Sequence, residues 1–154
     1  MIDFASVPTP EQVEAQLKST NIYEAGRAKF QKREIDAYGA VRSSYPYPVQ
    51  TWKLGDGPIW VILSGEVVVD YSIRLKTEIR MLHANQPVWV AGYANDTMAY
   101  IPSLRVLKEG GYEGESSMLY YGRPSPWADT IEEQIVGAVH AQVKSLFESS
   151  DSAQ

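Results

Sequence analysis

Hydrophobic and polar positions along the 154-residue chain change period several times, and each change marks an element. Thr9-Pro10-Glu11-Gln12 is a helix start, with Thr9 as cap, proline at the first helical position and Gln12 closing a capping box. Val13 and Leu17 then share one face of a short helix, which Ser19-Thr20-Asn21 interrupts. Asn21 with Glu24 caps a second helix running towards Tyr38, and Gly39 stops it. The charges of that helix, Arg27, Lys29, Lys32, Arg33 and Glu34, read as a solvated face.

Tyr45-Pro46-Tyr47-Pro48 excludes helix and leads into a strand over Val49 to Leu54. Gly55-Asp56-Gly57 is a hairpin-type turn. Pro58 to Leu63 is continuously apolar, the pattern of a central strand covered on both faces. A helix follows over roughly Val67 to Leu82, with an apolar stripe of Val68, Tyr71, Leu75, Ile79 and Leu82. His83 at its C-terminal end is a surface or capping residue. Pro87 to Ala91 is a second buried strand, so strand, helix and strand make a βαβ unit with parallel strands.

Gly92 to Gly122 breaks the pattern. It is crowded with glycine and tyrosine, which reads either as a functional loop segment or as a long surface connection. Within it Ser103 caps a short helix through Lys108, ended by Gly110-Gly111. Thr130 with Glu133 is a further capping box, opening a final helix to about Glu148. Ile131, Ile135, Val139, Val143 and Leu146 form its buried face, and His140 beside them reads as a packed or half-exposed helix residue. Residues 149–154 are expected to fray. The expected fold is α/β. It is a small mixed sheet with parallel central strands and an N-terminal hairpin strand, flanked by helices and forming a single domain or part of one.

Composition narrows function mainly by exclusion. A formal net charge of −5, without any basic run, argues against nucleic acid as partner. The absence of cysteine excludes disulfides and thiolate metal sites. No apolar run approaches the ~20 residues of a membrane span, and Met1 to Pro10 lacks the features of a signal peptide.

Candidate chemistry collects at the carboxyl ends of the parallel strands, where ligands gather in open α/β sheets. Ser64-Gly65-Glu66 follows the first strand and Gly92-Tyr93-Ala94-Asn95-Asp96 the second, which brings Glu66, Asn95, Asp96 and Tyr100 towards one sheet edge. Glu66 lies between an apolar strand and three valines, an unfavourable place for an unpaired carboxylate. It serves either as a functional group or as a complement to the N-terminus of the next helix. A carboxylate beside a phenol suits a hard-oxygen metal site or an acid/base pair. A zinc site built from this chain alone is not expected, because neither histidine is placed at a strand end.

These residues resemble a family. Leu63-Ser64-Gly65-Glu66, then Gly92-Tyr93-Ala94-Asn95 leading to Tyr100, then Tyr112-Glu113-Gly114 with Ser116-Ser117 and Tyr121-Gly122, follow in order and spacing the later part of the catalytic domain of neutral, non-lysosomal ceramidases. The whole chain is similar to the C-terminal portion of bacterial ceramidase-like proteins. The resemblance implies a zinc-dependent amidase that cuts an N-acyl bond, with zinc held by two histidines, a glutamate and a tyrosine. It assigns the glutamate to Glu66 and the metal-binding tyrosine to Tyr100, and it makes Tyr112 an active-site residue that hydrogen-bonds the substrate. The two histidines of the family come from earlier segments that have no counterpart here. The resemblance therefore implies half a metal site, inactive alone, whose partner is the N-terminal remainder of the same polypeptide. Self-association through the face left uncovered, a lipid-like amide substrate and an exported or periplasmic parent are further implications. The sequence departs from the family pattern at Ser64, where the family has proline, and at Ile101-Pro102-Ser103, where it has paired threonines. The rival expectation is a non-catalytic binding domain that keeps the scaffold without metal.

Overall fold

A computed structural model describes residues 1–84 and 86–151, with side chains through residue 148. The first elements are β1 (Ile2–Asp3), α1 (Pro10–Gln16), α2 (Ile22–Tyr38), β2 (Ser44–Tyr45), β3 (Val49–Lys53), β4 (Ile59–Leu63) and β5 (Glu66–Val67). Then come α3 (Val69–Leu82), β6 (Val88–Ala91), β7 (Tyr100–Ile101), α4 (Leu104–Glu109), a π-helical turn (Tyr112–Ser116), α5 (Ser117–Tyr120) and α6 (Ile131–Asp151). The fold is α/β with mixed sheets, as the periodicity predicts. The chain divides into two compact units, residues 1–46 with 104–131, and residues 47–103 with 132–154.

In the first unit the capping box of α1 is complete. Thr9 Oγ1 accepts from the Gln12 amide at 3.3 Å, and the Thr9 amide donates to Gln12 Oε1 at 2.8 Å. Asn21 caps α2 by accepting from the Tyr23 amide. Glu24 does not close a second box, because its carboxylate accepts from the Ser19 hydroxyl at 2.6 Å. Gly39 ends α2 in the left-handed region. Val13, Ala28 and Val41 form a small core between α1 and α2. Arg27 leaves the solvated face expected of it: it is half-buried and donates to Gln16. β1 pairs antiparallel with β2, and beyond it Phe4 stacks on the buried Trp127 at 4.5 Å.

The second unit is built on the sheet β3-β4-β6. β3 runs antiparallel to β4 and β4 parallel to β6, with α3 as the crossover. Tyr71, Leu75 and Ile79 of α3 are buried, as are Ile135, Val139 and Val143 of α6. Gln142 fastens α6 to β3, donating to the Val49 carbonyl and accepting from Thr51. Two expectations need correction. Leu82 is exposed, because α3 ends there and His83 turns back to stack on Phe147 at 3.9 Å. β4 is covered on one face only, with Ile59, Val61 and Leu63 fully buried and Trp60 exposed. The register aligns Trp60 with Trp52 on one side and Trp89 on the other, so three exposed indoles cross the sheet in one row.

Arg74 organises the charges between α3 and α6. It donates to Glu78, Glu132 and Glu133 at 2.6–2.9 Å, and Glu78 also meets His140 Nε2 at 2.6 Å. Glu133 thus serves an ion pair rather than the capping box its spacing suggests. α6 continues to Asp151, while residues 152–154 of the expected frayed tail lie outside the described residues.

Two outcomes test this packing. Tyr71 is fully buried and its hydroxyl donates to the Pro102 carbonyl at 3.1 Å. Tyr71→Phe is expected to lower unfolding free energy by about 1–2 kcal/mol in urea titrations, since it orphans that carbonyl. The second concerns acid. Arg74 holds the Glu133 carboxyl below its ordinary 4.5. Burial pushes Glu78 up, but hydrogen bonds from Arg74 and His140 outweigh it and leave that carboxyl lowered too. Groups depressed in the folded state bind protons more readily when unfolded, so their stabilisation is present above pH 4.5 and disappears as pH falls below it. The urea midpoint should fall across that window, and Arg74→Met should flatten the fall.

Candidate functional site

The site forms where the chain leaves β4. Gly65 adopts φ +71°, and a Cβ there would stand 2.8 Å from the Ala99 carbonyl and 2.7 Å from Ile101 Cγ1. Only glycine suits both the backbone angle and the approach of the chain around β7. Residues 92–101 then lie along residues 63–68. The Ala94 amide donates to Leu63, Tyr93 to Gly65, Gly65 to Asp96, Glu66 to Ala99 and Val68 to Ile101, at 2.7–3.2 Å. These bonds hold Tyr93 and Asn95 at positive φ, 56° and 67°, a conformation that a bulky tyrosine adopts only when its surroundings impose it.

Ser64 reinforces the strap. Its side chain is fully buried and its hydroxyl donates to the Ala94 carbonyl at 2.7 Å, while the Tyr47 hydroxyl donates to the Ser64 carbonyl at 2.7 Å. Ser64 therefore supplies a loop-fastening hydrogen bond. The polar residue between buried Leu63 and Gly65 was the available signal for it.

The outcome is a two-stranded parallel ladder, β5 with β7, in which Glu66 and Tyr100 are direct partners. Paired residues in a parallel ladder project to the same side from strands about 4.8 Å apart. Both residues are half-buried. Among the described residues the Glu66 carboxylate has no hydrogen bond or ion pair, to an arginine or to a helix amide. Asn95 donates to Gln50, and Asp96 contributes its backbone carbonyl to the Gly65 amide.

Glu66 and Tyr100 supply two oxygen donors. Zinc takes three protein ligands in catalytic sites and four in structural ones. Among the described residues no group of three or more histidine, cysteine, aspartate or glutamate side chains is placed to hold a metal. His140 is engaged with Glu78 and His83 with Phe147. Two oxygen donors do not complete a zinc ligand set.

Tyr112 lies in the first unit, whereas Glu66 and Tyr100 lie in the second. It is exposed and opens the π-helical turn, near Tyr120, which meets Tyr23 edge-on. Gly114, third in its Tyr-Glu-Gly motif, has a packing reason: a Cβ would stand 2.5 Å from the Val106 carbonyl of α4. No protein-family model, curated protein or solved structure matches the chain.

Gly65→Ala tests the geometry. The added methyl meets backbone on one side and requires a left-handed alanine, so the variant should lose about 2–4 kcal/mol of stability in urea unfolding. Gly92→Ala is the milder comparison, since its Cβ would meet a side-chain atom, Val67 Cγ2, at 2.9 Å and no backbone atom closer than 3.6 Å.

Proposed function

We infer that the chain is the C-terminal part of a zinc-dependent amide hydrolase of the neutral ceramidase type. The observation that carries this reading is the register of Glu66 against Tyr100. It supports a pair of metal-binding oxygens set side by side at the carboxyl end of a parallel strand. Glu66 would offer its carboxylate and Tyr100 its phenolic oxygen. Tyr112 would hydrogen-bond the substrate, as the resemblance implies. The remaining ligands, two imidazoles, would come from polypeptide outside these residues, so the chain alone would be inactive. Zinc, when bound, polarises an amide carbonyl and lowers the pKa of a coordinated water. Residues 92–101, strapped onto residues 63–68, would keep both donors in register while a substrate binds.

A second reading has its own support. The row of Trp52, Trp60 and Trp89 is an exposed aromatic patch of the kind that marks an interaction surface. A non-catalytic binding domain would use that face and leave Glu66 without a metal.

Zinc content and N-acyl amide hydrolysis of the natural gene product separate the two. The hydrolase reading expects about one zinc per chain, with Glu66→Ala and Tyr100→Phe lowering both metal content and hydrolysis. Absence of zinc and of hydrolysis, with Glu66→Ala changing stability alone, would favour the binding domain.

A further inference from the structure

The register of the sheet β3-β4-β6 sets Trp52, Trp60 and Trp89 side by side on one face. Residues paired in a ladder project to the same side, and successive residues of a strand to opposite sides. The outward positions of the three strands are therefore Gln50, Trp52, Trp60, Ile62, Trp89 and Ala91. None of them is charged. Lys53, the one charged residue of these strands, lies on the other side, with its Nζ 4.9 Å from the centre of the Phe147 ring on α6.

The three indoles are about half exposed, at 52%, 37% and 55%. Among the described residues none of them meets another ring, and none of their N–H groups has a hydrogen-bond partner. Beside the row, the exposed side-chain amides of Gln50 and Asn95 join at 3.2 Å, Asn95 donating. That bond leaves the Gln50 amide hydrogens and the Asn95 oxygen without a protein partner.

These features select among occupants. A large aromatic ring buries about 150–250 Å², so a half-exposed row of three offers roughly 300 Å². That is well short of the roughly 800 Å² that each partner gives to a stable protein interface, which disfavours a second copy. Single-stranded nucleic acid needs cationic groups beside a stacking platform. The outward positions have none, in a chain of net charge −5. An anionic membrane surface fails on the same ground. The face fits a ligand that is neutral, narrow and extended, with C–H groups on its faces and hydroxyls at its edges.

We propose that this face binds a neutral oligosaccharide, with successive pyranose rings laid along Trp52, Trp60 and Trp89. The face of an indole is its negative side and attracts the weakly positive axial C–H groups of a pyranose. The indole N–H groups, Gln50 and Asn95 meet hydroxyls at the ring edges. Neighbouring strands about 4.8 Å apart set the outer two indoles about 10 Å apart, so the row engages more than one sugar. Sheet twist of about 20–25° per strand turns each indole against the next, which suits a single soluble chain over a flat crystalline surface. The inference rests on the reading of this face as an interaction surface and deepens it by naming the ligand. It holds with or without a metal at Glu66.

Isothermal titration of the whole chain with β-1,4-linked hexasaccharides of glucose, N-acetylglucosamine and mannose tests it, with the matching disaccharides beside them. At least one hexasaccharide should bind, roughly tenfold or more tighter than its disaccharide. Binding should also shift tryptophan fluorescence, a signal that belongs to the row because the fourth tryptophan, Trp127, is buried. Trp60→Ala should weaken binding by roughly tenfold or more, and Trp60→Tyr, which keeps a ring, by less. The proposal is overturned if no hexasaccharide binds at millimolar concentration, or if Trp60→Ala binds as the parent does. Should Trp60→Ala fail to fold, Trp52→Ala and Trp89→Ala decide, and unchanged affinity in both overturns the proposal. Where no sugar binds, sedimentation and flotation with phosphatidylcholine vesicles separate two failures. Self-association or vesicle binding that Trp60→Ala abolishes keeps the interaction surface and overturns the sugar; the lack of both overturns the surface as well.

Discussion

The second unit depends on the seam between residues 63–68 and residues 92–101. Five backbone hydrogen bonds, from Ala94–Leu63 to Val68–Ile101, run along it. Gly65 makes the seam possible by lacking a Cβ, and the Ser64 hydroxyl locks it from the buried side. Two backbone conformations that side-chain-bearing residues avoid, at Tyr93 and Asn95, are the local cost. What the seam produces is a fixed neighbourhood for Glu66 and Tyr100. Without it, two residues separated by a helix, a strand and a loop would have no reason to meet.

Much of the fold was legible in the sequence because its signals are local. The Thr9 capping box, the Asn21 cap, the Gly39 stop and the β4-α3-β6 crossover all depend on residues near one another in the chain. The features that were not legible are long-range. Glu133 sits at capping-box spacing from Thr130, but Arg74 on α3 takes its carboxylate. β5 and β7 have two residues each, too short to carry a period, and exist only through each other. The apolar run of β4 reads as covered on both faces. Its alternation is hidden because the exposed position, Trp60, is itself hydrophobic. The tryptophans at Trp52 and Trp89 were the missed clue, since each sits where the strand's outward face falls.

For the candidate site, the sequence located Glu66 and Tyr100 at one sheet edge, and the ladder makes them direct partners. It placed Asn95 and Asp96 there too, and in the structure Asn95 donates to Gln50 while the Asp96 carbonyl accepts from the Gly65 amide beside Glu66.

The central claim is that Glu66 and Tyr100 are two ligands of one metal ion. Anomalous diffraction at the zinc edge, from crystals of the natural gene product grown with zinc, tests it most directly. The account predicts a zinc peak within bonding distance of both the Glu66 carboxylate and the Tyr100 oxygen, with imidazole nitrogens completing the site. A peak elsewhere, or Glu66 paired with a cationic side chain in a metal-free site, would contradict it.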